Sequence, residues 1–126
     1  KGYGLKSGAV ATSVAHDSHN IICVGTSDED MAFAVNRIAR NRGGIVVVEN
    51  GQVLAELPLE IAGIISGKPL REVNTLLEDA KKAAHALGVG TDIDPFMTLS
   101  FMSLPVIPTL RLTTRGVVDV NTQQYV

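Results

Sequence analysis

The chain has 126 residues, of which 45% are apolar and 19% charged, and its formal net charge is −2. This length suits one hydrophobic core, and the apolar content excludes a disordered chain. No apolar run is long enough for a membrane span and the eleven Lys and Arg residues form no basic block, so neither a membrane nor a nucleic acid is expected as a partner.

Two short apolar runs near the start of the chain predict an antiparallel pair of strands. They cover residues 8–15 and 20–26, and both contain β-branched side chains. The four residues between them, 16–19, have a length that suits a hairpin link, and Asp and Ser side chains commonly bond back to turn amides. Cys23 lies in the second run. A single cysteine cannot form an internal disulfide, so we expect a buried thiol and a reducing, cytoplasmic setting.

A helix followed by a hairpin is the clearest pattern in the chain. Ser27 and Asp30 resemble a capping box, and the glycine pair at 43–44 ends the helix that they begin. The run 45–48 predicts a strand, and Asn50-Gly51 predicts a tight turn because both turn positions require positive φ. The buried stripe of the helix is predicted to comprise Met31, Ala34, Val35 and Ile38.

The second half of the chain predicts one long helix over 69–87 and several shorter elements. Residues 59–66 are consistent with a short helix, whereas 96–108 alternate apolar and polar side chains and predict a strand or an extended buried segment. Residues 110–120 predict two short strands. The buried face of the long helix is predicted to comprise Leu70, Val73, Leu77, Ala80, Ala84 and Leu87.

Together these elements predict the class of fold. We expect a single α/β or α+β domain over residues 1–126, in which two main helices cover a mixed β-sheet with antiparallel hairpins. His85, at the end of the long helix, is expected to serve the structure rather than catalysis, because a cation there complements the helix dipole.

The segment "HDSHN" concentrates side chains that bind or transfer protons. It consists of His16, Asp17, Ser18, His19 and Asn20. A catalytic zinc takes three protein ligands that converge on one point, and neighbours in a turn rarely converge so closely. A Ser-His-Asp triad is disfavoured because its members are normally held on different elements. Two interpretations stay open: a polar turn, and a loop that lines a pocket formed partly by something outside this chain.

Three long stretches of the sequence carry a family resemblance. They read SVAHDSHNIICVGTSDEDMAFAVNRI, GGIVVVENGQVLAELPLEIAGIIS and PFMTLSFMSLPVIPTLRLTTRGVVDV. Together they resemble the C-terminal domain of bacterial and archaeal adenine deaminases, which belong to the amidohydrolase superfamily. The resemblance covers nearly the whole chain, except for the generic helix and loop around residues 67–90.

The resemblance implies a function for a parent enzyme, meaning the longer polypeptide that would contain this chain. The parent would hydrolyse adenine to hypoxanthine and ammonia in purine salvage, using a binuclear manganese or iron centre in a (β/α)8 barrel. That barrel is not within these 126 residues. The chain would therefore be an accessory domain that binds no metal or other cofactor itself, is inactive alone and has the barrel as its partner. Residues 16–20 would face the barrel mouth.

Three functions remain compatible with the sequence. The chain is an accessory domain of an adenine deaminase, a structural or oligomerisation module, or a stand-alone module that binds a small molecule. We expect a homo-oligomer. Because the sequence opens on Lys1 with strand-like residues soon after it, we also expect it to be part of a longer polypeptide.

Overall fold

A computed structural model of the protein describes residues 2–126. Its elements, in chain order, are β1 (Ala9–Thr12), β2 (Ile22–Gly25), α1 (Asp28–Asn41), β3 (Gly44–Glu49), β4 (Gln52–Pro58), α2 (Leu70–Ala86), α3 (Pro95–Ser100), β5 (Leu110–Thr113), β6 (Gly116–Asp119) and β7 (Gln124–Tyr125). The strands form two sheets, in the orders β2-β1-β3-β4 and β5-β6-β7. All the strand pairs in this described part are antiparallel. The predicted α/β class with two main helices is confirmed, and a second sheet adds to it.

The two long helices lie on opposite faces of the four-stranded sheet. Side chains alternate along a strand, so Ala9 and Ala11 of β1 pack on the α1 side, whereas Val10 packs on the α2 side. Strand β3 divides its side chains in the same way. Because both faces are covered, β1 and β3 are continuous apolar runs instead of alternating apolar and polar residues. The cluster on the α1 side comprises Ala9, Ala11, Ala34, Ile38, Val46 and Val48.

Helix α1 and the hairpin after it form as predicted, with one change in the role of Asp30. Ser27 Oγ caps the helix by accepting a hydrogen bond from the Asp30 N–H at 3.2 Å. The Asp30 carboxylate, however, accepts hydrogen bonds from the N–H groups of Asn50 and Gly51, at 3.1 and 2.8 Å. Both turn residues have positive φ, as predicted. Asp30 is 6% exposed, and it joins the start of α1 to the β3–β4 turn.

The prediction of a helix over residues 59–66 was wrong. These residues form a turn that is closed by an isolated bridge between Ile61 and Ile65. Ala62 and Gly63 have φ values of 55° and 77°, which a right-handed helix does not allow. Gly63 lies inside the run, and periodicity alone cannot distinguish a helix from an irregular turn in so short an apolar segment.

Helix α2 is present, but one residue of its predicted buried face is wrong. Leu70 is 84% exposed because it is the first residue of the helix and lies one turn before Val73, the first residue to contact the core. Ala80 and Ala84 are fully buried against the sheet. No helix among residues 2–126 has the length and apolar content to cross a bilayer.

Residues 96–108 do not form the predicted strand, because a capping signal starts helix α3 instead. Asp94 Oδ1 accepts hydrogen bonds from two first-turn amides, at 3.0 and 2.9 Å. Pro95 occupies the first helical position, where its missing N–H has no cost. Phe96, Leu99 and Ser100 are buried, which is the spacing of one helix face. The buried residues of this segment therefore follow the helical period of about 3.6 residues and not the two-residue period of a strand.

Strands β5, β6 and β7 form a small sheet outside the layers that the long helices cover. The β5–β6 pair was predicted, and β7 was not. We call residues 95–103, which comprise α3 and the turn after it, the α3 segment. The sheet is joined to the α3 segment by a hydrogen bond from the Leu112 N–H to the Met102 carbonyl at 3.1 Å. Leu110 and Leu112 lie on one face of β5 and are 50% and 61% exposed. The side chains of Leu110 and Leu112 are consequently left uncovered on one side of the small sheet.

Candidate functional site

The segment His16 to Asn20 lies in a loop that is longer than the predicted four-residue link. Thr12 pairs with Ile22, so the connection between β1 and β2 covers residues 13–21. The Thr12 hydroxyl accepts a hydrogen bond from the Val14 N–H at 3.0 Å, which turns the backbone away from β2. The chain then crosses to α3 before it returns to the sheet.

Both ends of the HDSHN segment are held by the α3 segment. The His16 N–H donates to the carbonyl of Ser100 at 2.9 Å. The His16 ring stacks on Phe101, with centroids 5.1 Å apart and planes inclined by 21°. At the other end, the Ser103 hydroxyl donates to Asn20 Oδ1 at 3.3 Å. Contacts with residues more than 80 positions away therefore fix where this loop lies.

The middle of the loop is exposed. Asp17, Ser18 and His19 are accessible, whereas His16 and Asn20 are half-buried. The rings of His16 and His19 have centroids 6.0 Å apart and are tilted by 58°. The loop thus brings two imidazoles close together and leaves a carboxylate and a hydroxyl accessible beside them. These groups can donate and accept hydrogen bonds to a molecule or protein surface above the loop, but they do not enclose a ligand by themselves.

The described residues offer no arrangement suited to a metal ion. Across positions 2–126, no three His, Cys, Asp or Glu side chains lie close enough together to share one. The third histidine, His85, is on α2, where its Nδ1 is 3.2 Å from the carbonyl oxygen of Val89. This contact ties the end of α2 to the following loop, in line with the structural role predicted for His85.

An apolar cleft begins at Asn20 and runs beside the edge strand β2. One part, of about 220 Å³, lies between Asn20, Ser103 and Leu112. A second part, of about 500 Å³, is bordered by Tyr3 and again by Leu112. Cys23 and Leu112 border both parts, so the polar loop passes directly into an apolar depression.

Cys23 borders this cleft, but its thiol is expected to be unreactive. Burial raises the pKa of Cys23 to about 11, so little thiolate exists at neutral pH. At pH 8 we expect iodoacetamide to modify Cys23 roughly tenfold more slowly in the folded chain than in urea. Mass spectrometry of timed samples measures both rates. Equal rates in the two conditions would contradict this prediction.

Three residues of the α3 segment belong to the candidate site although the sequence did not single them out. Ser100, Phe101 and Ser103 support the loop, and their position depends on the cap that Asp94 provides. Burial raises the pKa of Asp94, but hydrogen bonds from the Met97 amide and the Lys81 ammonium outweigh it and hold the pKa below its ordinary value. Asp94 therefore stays ionised at neutral pH. The Asp94-Pro95 pair was the sequence signal that could have located this support.

The matched family agrees with the resemblance seen in the sequence. A family model described as the adenine deaminase C-terminal domain matches residues 1–124. The chain belongs to this family. The adenine deaminase C-terminal domain family thus accounts for the sequence from the first strand to β7, including the whole HDSHN loop.

Similar proteins named adenine deaminase extend well beyond this domain. One from Nitratidesulfovibrio vulgaris (strain Hildenborough) is 53% identical over 126 residues, which are 99% of this chain and 22% of that protein. "Adenine deaminase 2" of Carboxydothermus hydrogenoformans is 54% identical over 121 residues, or 96% of this chain and 21% of that protein. The adenine deaminase of Geobacillus kaustophilus is 46% identical over 126 residues, covering all of this chain and 22% of that protein. The chain therefore spans about a fifth of the length of these relatives.

Proposed function

We propose that this chain is the C-terminal accessory domain of a cytoplasmic adenine deaminase that hydrolyses adenine to hypoxanthine and ammonia in purine salvage. The observation that carries the proposal is the family match over residues 1–124, together with three relatives of 46% to 54% identity that bear this name. Because the chain spans about a fifth of those relatives, the catalytic centre would lie in another part of the parent. The domain alone would be inactive.

The binuclear manganese or iron centre that the resemblance implies does not fit the residues of this chain. A bridged pair of metal ions needs several carboxylate and imidazole ligands, and residues 2–126 bring no three such side chains together. We therefore assign the metal ions to the parent's barrel and assign no step of the reaction to a metal in this domain.

Within the parent, we propose that residues 16–20 face the mouth of the barrel. The support is the combination of rigid ends and an accessible middle: His16 and Asn20 are held on the α3 segment, while Asp17 and His19 are exposed. A loop held in this way presents polar groups in a fixed position without closing over them. Asp17 and His19 would contact adenine or order the water molecules around it.

Replacing Asp17 or His19 by alanine in the full-length parent tests this role. We expect each variant to lower the turnover of adenine by up to about a hundredfold, because misplacing a substrate or a reacting water can cost this much. The melting temperature should change little, since both side chains are exposed. Ammonia release and thermal unfolding measure the two effects.

A matched control separates the role of the loop from a general effect of charge. Asp28 is an exposed carboxylate on α1, so Asp28→Ala removes the same group at a distance from the loop. Turnover in this control should stay at the wild-type value. Wild-type turnover in both Asp17→Ala and His19→Ala would exclude an active-site role for the loop.

An oligomerisation module is the alternative function, and the exposed Leu110 and Leu112 side chains of the small sheet favour it. In that case the parent would be a homo-oligomer held together by this domain. Asp17→Ala and His19→Ala would then leave turnover unchanged, and sedimentation of the parent would show dissociation when the small sheet is altered.

A further inference from the structure

Exposed apolar side chains are concentrated in the last quarter of the chain. Of the fifteen large apolar side chains that are exposed among residues 2–126, nine fall within 97–126. Four of these lie just after α3 and on β5, and they are between 39% and 61% exposed. We call this group the apolar face; it consists of Phe101, Met102, Leu110 and Leu112.

The apolar face has no covering layer within the domain. The long helices α1 and α2 pack on the two faces of the four-stranded sheet, and neither covers the small sheet. A sheet with an apolar face needs another element against that face, and an exposed apolar patch of this kind typically marks an interface. Met102 and Leu112 are also joined through their backbones, so the residues just after α3 meet strand β5 at this face.

The start of the described chain lies beside the apolar face. Gly2 and Tyr3 border the same 500 Å³ cleft as Met102 and Leu112. The Tyr3 hydroxyl donates to the carbonyl of Pro95 at 3.1 Å, and the Tyr3 carbonyl accepts from the Gly90 N–H at 3.1 Å. These contacts fix the entry of the chain close to α3.

The relatives indicate what would cover this face. The matched family is a C-terminal domain. The region of similarity makes up 22% or less of each relative described above, so nearly four fifths of each polypeptide lies outside it. In such a protein the preceding domain connects to this one at Gly2, next to the apolar face. We propose that the apolar face packs against the preceding domain of the same polypeptide. This inference rests on the proposed function in one respect, that the chain is part of a longer protein.

The position of the HDSHN loop agrees with this arrangement. Phe101 belongs to the apolar face and also stacks under His16, and Asn20 begins the cleft that Leu112 borders. Protein interfaces commonly have an apolar centre and a polar, accessible rim. With Met102 and Leu112 at the centre, residues 16–20 lie on the rim and meet the preceding domain at its boundary with solvent.

Replacing Leu112 by glutamate in the full-length parent tests the interface. Leu112 is 61% exposed within this domain, so Leu112→Glu should leave the domain folded. At an interface, however, it would bury an unpaired charge. We expect limited proteolysis to release the C-terminal domain at least about fivefold faster than from the wild type, because weaker docking exposes the connection.

A matched control uses Leu54, a leucine on the opposite edge strand β4 that is 46% exposed. Leu54→Glu introduces the same charge on a strand that is not part of the apolar face, so the rate of proteolytic release should stay at the wild-type value. Release at the wild-type rate from Leu112→Glu, or equal acceleration in both variants, would overturn the proposal.

A photo-crosslinker distinguishes the preceding domain from a second copy of the protein. We would place benzoylphenylalanine at position 112 of the full-length parent and analyse the products on denaturing gels and by mass spectrometry. Cross-links to the preceding domain within one polypeptide leave the chain mass unchanged and are the expected result. Cross-links that double the chain mass would identify a second copy, and cross-links only within this domain, or none, would show a face that the preceding domain does not cover; each of these results would overturn the proposal.

An assay of adenine deamination by the wild-type parent distinguishes failure of the proposed interface from failure of the proposed function. If the parent releases ammonia from adenine and no cross-link to the preceding domain forms, the interface is wrong and the proposed function stands. If cross-links to the preceding domain form in a parent that does not release ammonia, the interface is correct and the proposed function is wrong.

Discussion

Gly44→Ala is expected to destabilise this chain by at least about 3 kcal/mol, a large part of the 5–15 kcal/mol that typically holds a domain together. Gly44 has a φ of 140°, where a side chain is strained. A Cβ added there would also lie 2.3 Å from the carbonyl oxygen of Leu57 and 3.1 Å from Pro58 Cα. Both atoms belong to the backbone of β4, so the β3–β4 pair would have to separate. Urea unfolding followed by circular dichroism measures the loss.

Gly51 provides the control that separates backbone strain from steric contact. It also has positive φ, at 72°, but no heavy atom lies within 4 Å of the position that a Cβ would take. Gly51→Ala should therefore cost only about 1 kcal/mol, the cost of the left-handed conformation itself. Equal losses for Gly44→Ala and Gly51→Ala would show that the contact with β4 has no effect.

Ile38→Ala is expected to cost about 2–5 kcal/mol, because it leaves a cavity between α1 and the sheet. Ile38 is 1% exposed and contacts the small side chains that β1 presents on this side of the sheet. Ala9 and Ala11 have small side chains, which cannot move to fill the cavity. Thermal or urea unfolding of the variant measures the loss.

Phe33, on the same helix, is the control for Ile38. It is 38% exposed, so Phe33→Ala removes a larger side chain from a position that water already reaches. Its cost should stay below about 1 kcal/mol, as for most surface substitutions. If Phe33→Ala and Ile38→Ala lowered the free energy of unfolding equally, burial would not determine how much a side chain of α1 contributes to stability.

The elements that the sequence predicted correctly are those with local signals. Ser27 starts α1 by accepting a hydrogen bond from an amide three residues away, and Asn50-Gly51 adopts the positive φ values that its residue types favour. The repeat of apolar residues in α2 is equally local. Such patterns act over a few residues, so they can be read without knowing what the rest of the chain does.

The path of the loop after β1, which the sequence did not predict, depends on distant contacts. The loop after β1 is nine residues long because His16 bonds to Ser100, 84 positions along the chain. The sequence predicted a candidate site at five polar residues, which stays a prediction. The support under them was missed although its signal, Asp94-Pro95, is local, because the alternation in 96–108 also fits a strand. The fold also changes the role of Asp30, whose carboxylate binds a turn 20 residues away instead of closing the capping box.

The contact between Asp30 and the hairpin turn has a consequence for hydrogen exchange. The amide hydrogens of Asn50 and Gly51 would exchange rapidly in an isolated turn, since both residues are exposed. In this domain they are held by a carboxylate on α1, so their exchange requires either that α1 moves away from the sheet or that the turn opens. These two amides can therefore serve as an internal probe for the undocking of α1, including openings too brief to alter the circular dichroism of the chain.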